Sequence, residues 1–538
     1  VKSGKIMKKI ISIVCLSIIA VTAMAIPARR GPMVRTAEDG TEKTVFLHGN
    51  AFYHYMTDEQ GTWLDEKSLQ PLSQEAKAAK MSKGEARQKA RRVQQQKKIG
   101  NAPNVAPRGL MIMVNFKDKA FQTPHDTIDS MLNGANFTRK YSVNYTYEGQ
   151  QVKGTYTCSG SARKYFQDQS YGQYNPVFDV VGPYTLSQNY SYYGKNDDAN
   201  VGKMIKEACQ LAYADGADFS LYDNDNDGNV DFVYVLYAGE GEADGGDANT
   251  VWPHNYDLRY LYETCILDGK QICNYACSNE WQHYGQVYNG IGTFCHEFSH
   301  VLGLPDLYET NETSRGCHTL YDWDILDYGP YNNDGNTPPA YSAYERFYMG
   351  WLTPRVLTEA ENVTLAPINE GNGTSLLMCS DDAHNLVGYN PNPKTFYLLE
   401  NRVRTGWDKY LPGRGMLITK IQYDADNWEY NAVNNDPYDM GVDLIEATPN
   451  TTDWSAATDA FPKGATEYTD FTDHEITNIA ISGQNITFQY RGGWPEGIES
   501  IQPSAVSIQK IIRDGKLYIV VGNALYDATG KRYENHQL

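Results

Sequence analysis

Apolar and polar residues alternate through "KTVFLHGNAFYHYMTDEQGTWLD", residues 43–65, with a turn-forming DEQG inside the run. That period of two predicts a small β unit. The next stretch, "SQEAKAAKMSKGEARQKARRVQQQKKIG", has helix formers and many basic residues but few large apolar ones. It reads as a solvated helix or a flexible linker. At "APRGLMIMVNFKD" the pattern changes: Leu110 to Phe116 is a dense apolar run, the mark of a buried strand. "SARKYFQDQSYGQY" and "VGKMIKEACQLAYADG" carry helical spacing, and "VDFVYVLYAG" is another buried strand. From about Arg355 short β-like runs alternate with turns, as in "KTFYLLENRV", "GRGMLITKIQYD" and "NITFQYRG". "GGWPEG" reads as a linker, and the end as two or three short strands with Asp-Gly and Thr-Gly turns. The expected class is α+β: a domain with a mixed sheet, then a β-rich, sandwich-like domain and a short β tail.

The N-terminus changes the compartment. "MKKIISIVCLSIIAVTAMA" has a basic start, a short apolar core and an A-x-A end, which predicts a signal peptide over residues 1–25. The apolar run is too short for a comfortable membrane span, and no other run suits one. A secreted or cell-surface protein, monomeric and without a stable membrane span, is expected. Residues 26–107 read as a pro-region, 108–354 as the main domain, 355–492 as the β-rich domain and 493–538 as linker and tail. A net charge of −19 argues against a nucleic-acid partner, which needs a positive surface, and leaves carboxylates for calcium. Apart from Cys15, eight cysteines remain, an even number compatible with disulfides in an exported chain.

Candidate chemistry centres on "GTFCHEFSHVLGLPDLY", residues 292–308. On a helix His296 and His300 face one point, with Glu297 beside it. Two imidazoles plus one further ligand would hold zinc and leave a position for water, and Glu297 is placed to take that water's proton. Gly303 ends the helix and lets the chain return with Asp306 as third ligand. Glu345 in "YSAYERFYMGW" and His318 are the alternative third ligands.

"HEFSHVLGLPDLY" resembles the active-site helix of the immune inhibitor A family of secreted bacterial metallopeptidases. "GLMIMVNFKD", "DNDNDGNVDFVYVLYAGEGEADGG", "VWPHNYDL", "TPPAYSAYERFYMGWL", "FYLLENRVRTGWDKYLPGRGMLITKIQYD" and "DNWEYNAVNNDP" are similar to further segments of that family in the same order. The resemblance spans roughly residues 108–491. It implies a zincin-like catalytic domain and a zinc-dependent endopeptidase, made with a signal peptide and a pro-region, that acts on proteins or peptides. Metzincin-like peptidases also place a methionine turn under the metal. The matching segment is "WDILDYG", with Leu326 where methionine is expected. Tyr328, two residues on, matches the tyrosine that stabilises the oxyanion in several metzincins.

"DNDNDGNVD" sets Asp223, Asp225, Asp227 and Asp231 at calcium-loop spacing with Gly228 at the tight turn, but Tyr234 stands where an EF-hand has Glu. Calcium is therefore expected here without a true EF-hand. A pro-region implies latency. No cysteine lies between Cys15 and Cys158, so a thiolate plug is excluded. Asp58, Glu59, Asp65, His48 or His54 would supply another ligand, or the pro-region would act by steric cover, with release by a cut near Arg91 or Arg92. The competing reading is a noncatalytic secreted adhesin on a metallopeptidase scaffold.

Overall fold

The computed structural model describes residues 25–538 except 52, 92–106, 148–149, 283–286, 312–317, 450–454, 494–507, 514–515, 522–523, 528–531 and 534–538. The expected signal peptide up to residue 24, the basic stretch after Arg91, Cys317 and most of the linker lie outside the described residues. The chain divides into two units, Val1–Arg491 and Gly492–Leu538.

The apolar runs become a sheet that is parallel at its centre. Its order is His254–Asp257, Asn274–Gln282, Val233–Glu240, Arg108–Asn115 and Val177–Thr185. The last four run parallel, and His254–Asp257 is antiparallel at the edge. Successive side chains of a strand point to opposite faces, and both faces here are covered. Leu110, Ile112, Val114, Val233 and Val235 pack against Met204, Ile205 and Ala208 of the helix Val201–Ala214. Met111, Met113, Tyr234 and Leu236 pack on the other side, with Phe294 and Phe298 of the helix Gly292–Val301. A continuous apolar strand is what two covered faces require.

The strand Asn274–Gln282 escapes a reading by hydrophobicity because polar residues fill its second half, although Asn279, Glu280 and Gln282 are buried. Each has partners: Asn279 Nδ2 donates to Asp244 Oδ2 at 2.8 Å, and Glu280 Oε1 accepts the backbone N–H groups of Gln122 and Thr123. Burial is tolerable once such groups are hydrogen-bonded.

The expected N-terminal β unit is a four-stranded sheet of Pro32–Thr36, Glu42–Asn50, Tyr53–Thr57 and Trp63–Leu64, followed by the helix Gln74–Arg91. After residue 354 come a five-stranded and a three-stranded sheet, whose residues Leu399, Ile418, Val363, Ile476 and Phe488 share one core. The C-terminal unit is the antiparallel meander Ile508–Arg513, Lys516–Val521, Ala524–Asp527 and Arg532–Tyr533. Among the described residues no disulfide joins the cysteines, and no helix is long and apolar enough to cross a membrane.

Candidate metal centre

The helix Gly292–Val301 is buried along nearly its whole length. Phe294 and Phe298 meet Phe178 and Phe232 at ring-centroid distances of 4.9 to 6.2 Å. Its first residue has to be glycine, since a Cβ on Gly292 would sit 2.0 Å from the Pro330 carbonyl oxygen. Gly303 turns the chain at φ +92°, in the left-handed region that glycine accepts without strain. Asp306 is thereby returned to the helix.

His296, His300 and Asp306 meet at one point. His296 Nε2 and His300 Nε2 are 3.1 Å apart, and Asp306 Oδ1 lies 3.3 and 3.2 Å from them. Both Nδ1 atoms face backbone carbonyls, Ile325 O at 2.7 Å and Leu304 O at 2.8 Å. A carbonyl only accepts, so each Nδ1 carries a proton, the arrangement that lets each Nε2 offer its lone pair to a metal. Two lone pairs and a carboxylate oxygen converging in a buried site repel one another unless a cation lies among them. A tetrahedral zinc with ligands about 2.0 Å away separates them by about 3.3 Å, which matches this triangle. The residues present therefore fit the metal that the sequence implies. Burial holds His296 below its ordinary pKa, which favours the neutral imidazole that a metal needs.

Asp306 has a partner that sequence inspection missed. Its N–H donates to Asn431 Oδ1 at 2.7 Å, and Asn431 Nδ2 donates to Asp306 Oδ2 at 2.6 Å. This pair orients Oδ1 toward the histidines. Such groups behind a ligand fix its geometry and basicity. The turn "WDILDYG" lies beside them, with Ile325 O accepting from His296 and Leu326 O accepting from Leu307 N at 2.8 Å. Leu326 is fully buried. Glu345 is engaged elsewhere: it closes a capping box with Ser342 at the start of the helix Ala343–Tyr348. His318 Nδ1 lies 2.5 Å from Glu446 Oε1.

Glu297 is fully buried beside this triangle, and its group with the two histidines spans less than 4.8 Å. Burial pushes its carboxyl well above the usual range, the charge of Asp306 adds to that, and one N–H opposes it. That N–H belongs to Ile26, 3.1 Å from Glu297 Oε1. The start of the described chain thus runs through the cleft. Trp252 Nε1 donates to Ile26 O at 3.0 Å, Tyr331 to Pro27 O at 2.8 Å, and Tyr308 to Ala25 O. The Arg29 guanidinium donates to Asp334 and to Gln282 Oε1. The Arg30 guanidinium carbon lies 3.9 Å from the Tyr328 ring centroid and 4.2 Å from that of Tyr321. What covers Glu297 is therefore the segment 25–30. Asp58 and Asp65 accept N–H groups of their own turns, His48 meets Thr57, and His54 lies near Glu66 and Glu242.

In the acidic loop Asp223, Asp225 and Asp231 offer oxygens within 4.8 Å of one another. Asp227 Oδ1 accepts from Asn229 N at 2.8 Å instead. A cation is already supplied, since Lys270 Nζ is 2.7 Å from Asp223 Oδ2.

Comparison with known proteins adds the family context. Residues 97–352 match the immune inhibitor A peptidase M6 catalytic domain. Over 218 residues the chain is 27% identical to a protein named pre-pro-metalloprotease PrtV from Vibrio cholerae serotype O1, a match covering 35% of this chain and 23% of that one. Over 219 residues it is 23% identical to immune inhibitor A from Bacillus thuringiensis subsp. alesti, covering 35% of this chain and 31% of the relative. The match thus spans less than a third of the length of either relative.

Proposed function

We propose that the chain is a zinc-dependent endopeptidase acting on extracellular proteins, a reading supported by the match of residues 97–352 to the immune inhibitor A peptidase M6 catalytic domain. The convergence of His296 Nε2, His300 Nε2 and Asp306 Oδ1 carries this reading. A bound zinc would polarise the substrate carbonyl and acidify water. The chain's own residues do the rest. His296, His300 and Asp306 hold the metal. Glu297 takes a proton from the attacking water and returns it to the departing amine, a task suited to a carboxyl whose burial has raised its proton affinity. The aromatic wall of Phe294, Phe298, Phe178 and Phe232 keeps the helix fixed while the proton moves. Tyr328 belongs to the same cleft as a candidate oxyanion donor, although here its ring faces Arg30.

The segment 25–30 supports a zymogen reading, in which the pro-region keeps Glu297 covered until it is displaced. A noncatalytic adhesin would have no need for three metal-competent ligands in a buried triangle. Mature protein is expected to contain about one zinc per chain and to clear casein, with clearing abolished by a chelator and restored by zinc. Metal-free protein after gentle purification, or clearing that ignores the chelator, would refute the reading.

Calcium at Asp223, Asp225 and Asp231 is proposed as a structural accessory, with Lys270 displaced from Asp223 on binding. Binding to the folded state alone stabilises it by mass action. Millimolar calcium is then expected to raise the melting temperature by a few degrees, and Asp225→Ala to remove that response. A parent melting curve indifferent to calcium would leave Lys270 as the loop's permanent counter-ion.

A further inference from the structure

In the uncut chain the peptide bond between Ala25 and Ile26, where the signal peptide is expected to end, is held at both ends by the site, as a substrate's bond would be. Its N–H donates to Glu297 Oε1 at 3.1 Å. Its carbonyl oxygen accepts from the Tyr308 hydroxyl. Ala25 is 1% exposed, Ile26 0% and Tyr308 3%, so the bond is shielded from water. Glu297 is the group assigned to protonate the departing amine. A peptide nitrogen touching it stands where the nitrogen of a substrate's susceptible bond would stand, and the carbonyl of that same bond points at Tyr308. The placement of Tyr308 follows from the sequence. It lies two residues after Asp306 in "GLPDLY", separated from it by Leu307, whose N–H is fixed to Leu326 O at 2.8 Å. The backbone that presents the ligand therefore also presents the phenol.

We propose that Tyr308 is a catalytic residue that binds the carbonyl oxygen of the bond to be cleaved and stabilises the charge that collects on it. The inference rests on the peptidase reading of the same site. As the water oxygen bonds to the carbonyl carbon, Glu297 receives the water's proton and the π pair of the C=O moves onto oxygen. Tyr308 keeps its proton and donates to that oxygen more strongly as the charge grows. The pair then reforms the carbonyl, the C–N bond breaks, and the proton on Glu297 goes to the amine. An acid and an amine result, and atoms and charge balance. A donor already aimed at the developing charge acts mainly on the transition state, so its loss falls on turnover more than on substrate affinity.

The test uses the full-length chain after identical limited trypsin treatment of parent, Tyr308→Phe, Tyr308→His and Tyr328→Phe, with a quenched-fluorescence peptide as substrate. Tyr308→Phe is expected to lower kcat by roughly 10- to 1000-fold, with KM within about threefold of the parent and zinc content unchanged. Tyr308→His returns a donor and is expected to recover part of the loss. Affinity for a peptide phosphonate, which mimics the tetrahedral oxygen charge, should fall in Tyr308→Phe in step with kcat. Turnover of Tyr308→Phe within threefold of the parent would overturn the proposal, and so would a loss that follows missing zinc or that appears in Tyr328→Phe instead. A zinc-loaded parent that cleaves no peptide would overturn the peptidase reading itself.

Discussion

Glu297→Gln is expected to retain zinc, fold and melting temperature while losing roughly 10²- to 10⁴-fold in kcat, the range that a positioned general base contributes. Glutamine has nearly the shape of glutamate and its amide oxygen can still accept from Ile26 N–H, so the contact at 3.1 Å need not break. What disappears is the capacity to take and return a proton. Glu297 lies beside the triangle formed by His296, His300 and Asp306, which is complete without it. Zinc lost together with activity would make Glu297 a ligand and Asp306 a bystander. A variant that still cleaves at a near-normal rate would take the base out of the mechanism.

The second large effect concerns the segment that covers this base. In Arg29→Glu, Arg30→Glu protein, two anchoring contacts become repulsive. Arg29 loses its pairing with Asp334 and Gln282, and a carboxylate faces Asp334 in its place. Arg30 loses its stacking on Tyr321 and Tyr328. Arg29 and Asp334 are only half-buried, so losing this charge-assisted pair costs about 1.5–3 kcal/mol, enough to shift a closed-to-open ratio by roughly 10- to 10²-fold. The full-length double variant is therefore expected to hydrolyse peptide without trypsin, whereas the intact parent is nearly silent. Mass analysis must confirm that both chains are uncut. An intact variant as slow as the parent would mean that the arginines do not hold the cover in place.

The parts of this site that could be read in the sequence are those fixed by short spacing. His296, Glu297 and His300 share a helix, and Gly303 and Asp306 follow at a distance that one turn of chain determines. The two-sided apolar runs of Arg108–Asn115 and Val233–Glu240 likewise announced a buried sheet. The strand Asn274–Gln282 hid because its polar residues are satisfied by partners elsewhere in the chain, and partners do not appear in a hydropathy pattern. Asn431 and Ile26 were illegible for the same reason. They meet the site across 125 and 271 positions of sequence, and no local period connects such residues. Tyr308 could have been noticed, since it stands two places beyond a ligand, but Tyr328 drew attention through the resemblance to metzincins.

The amide of Asn431 also imposes an order of events on synthesis. The ribosome delivers residues 25–30 first, the histidines much later, and Asn431 only after another 125 positions beyond Asp306. Until that asparagine has emerged, the third ligand lacks the group that aims it, and the ion has an incomplete seat. The segment 25–30 can cover Glu297 only once the helix Gly292–Val301 is in place, so the cover and the site behind it are completed together.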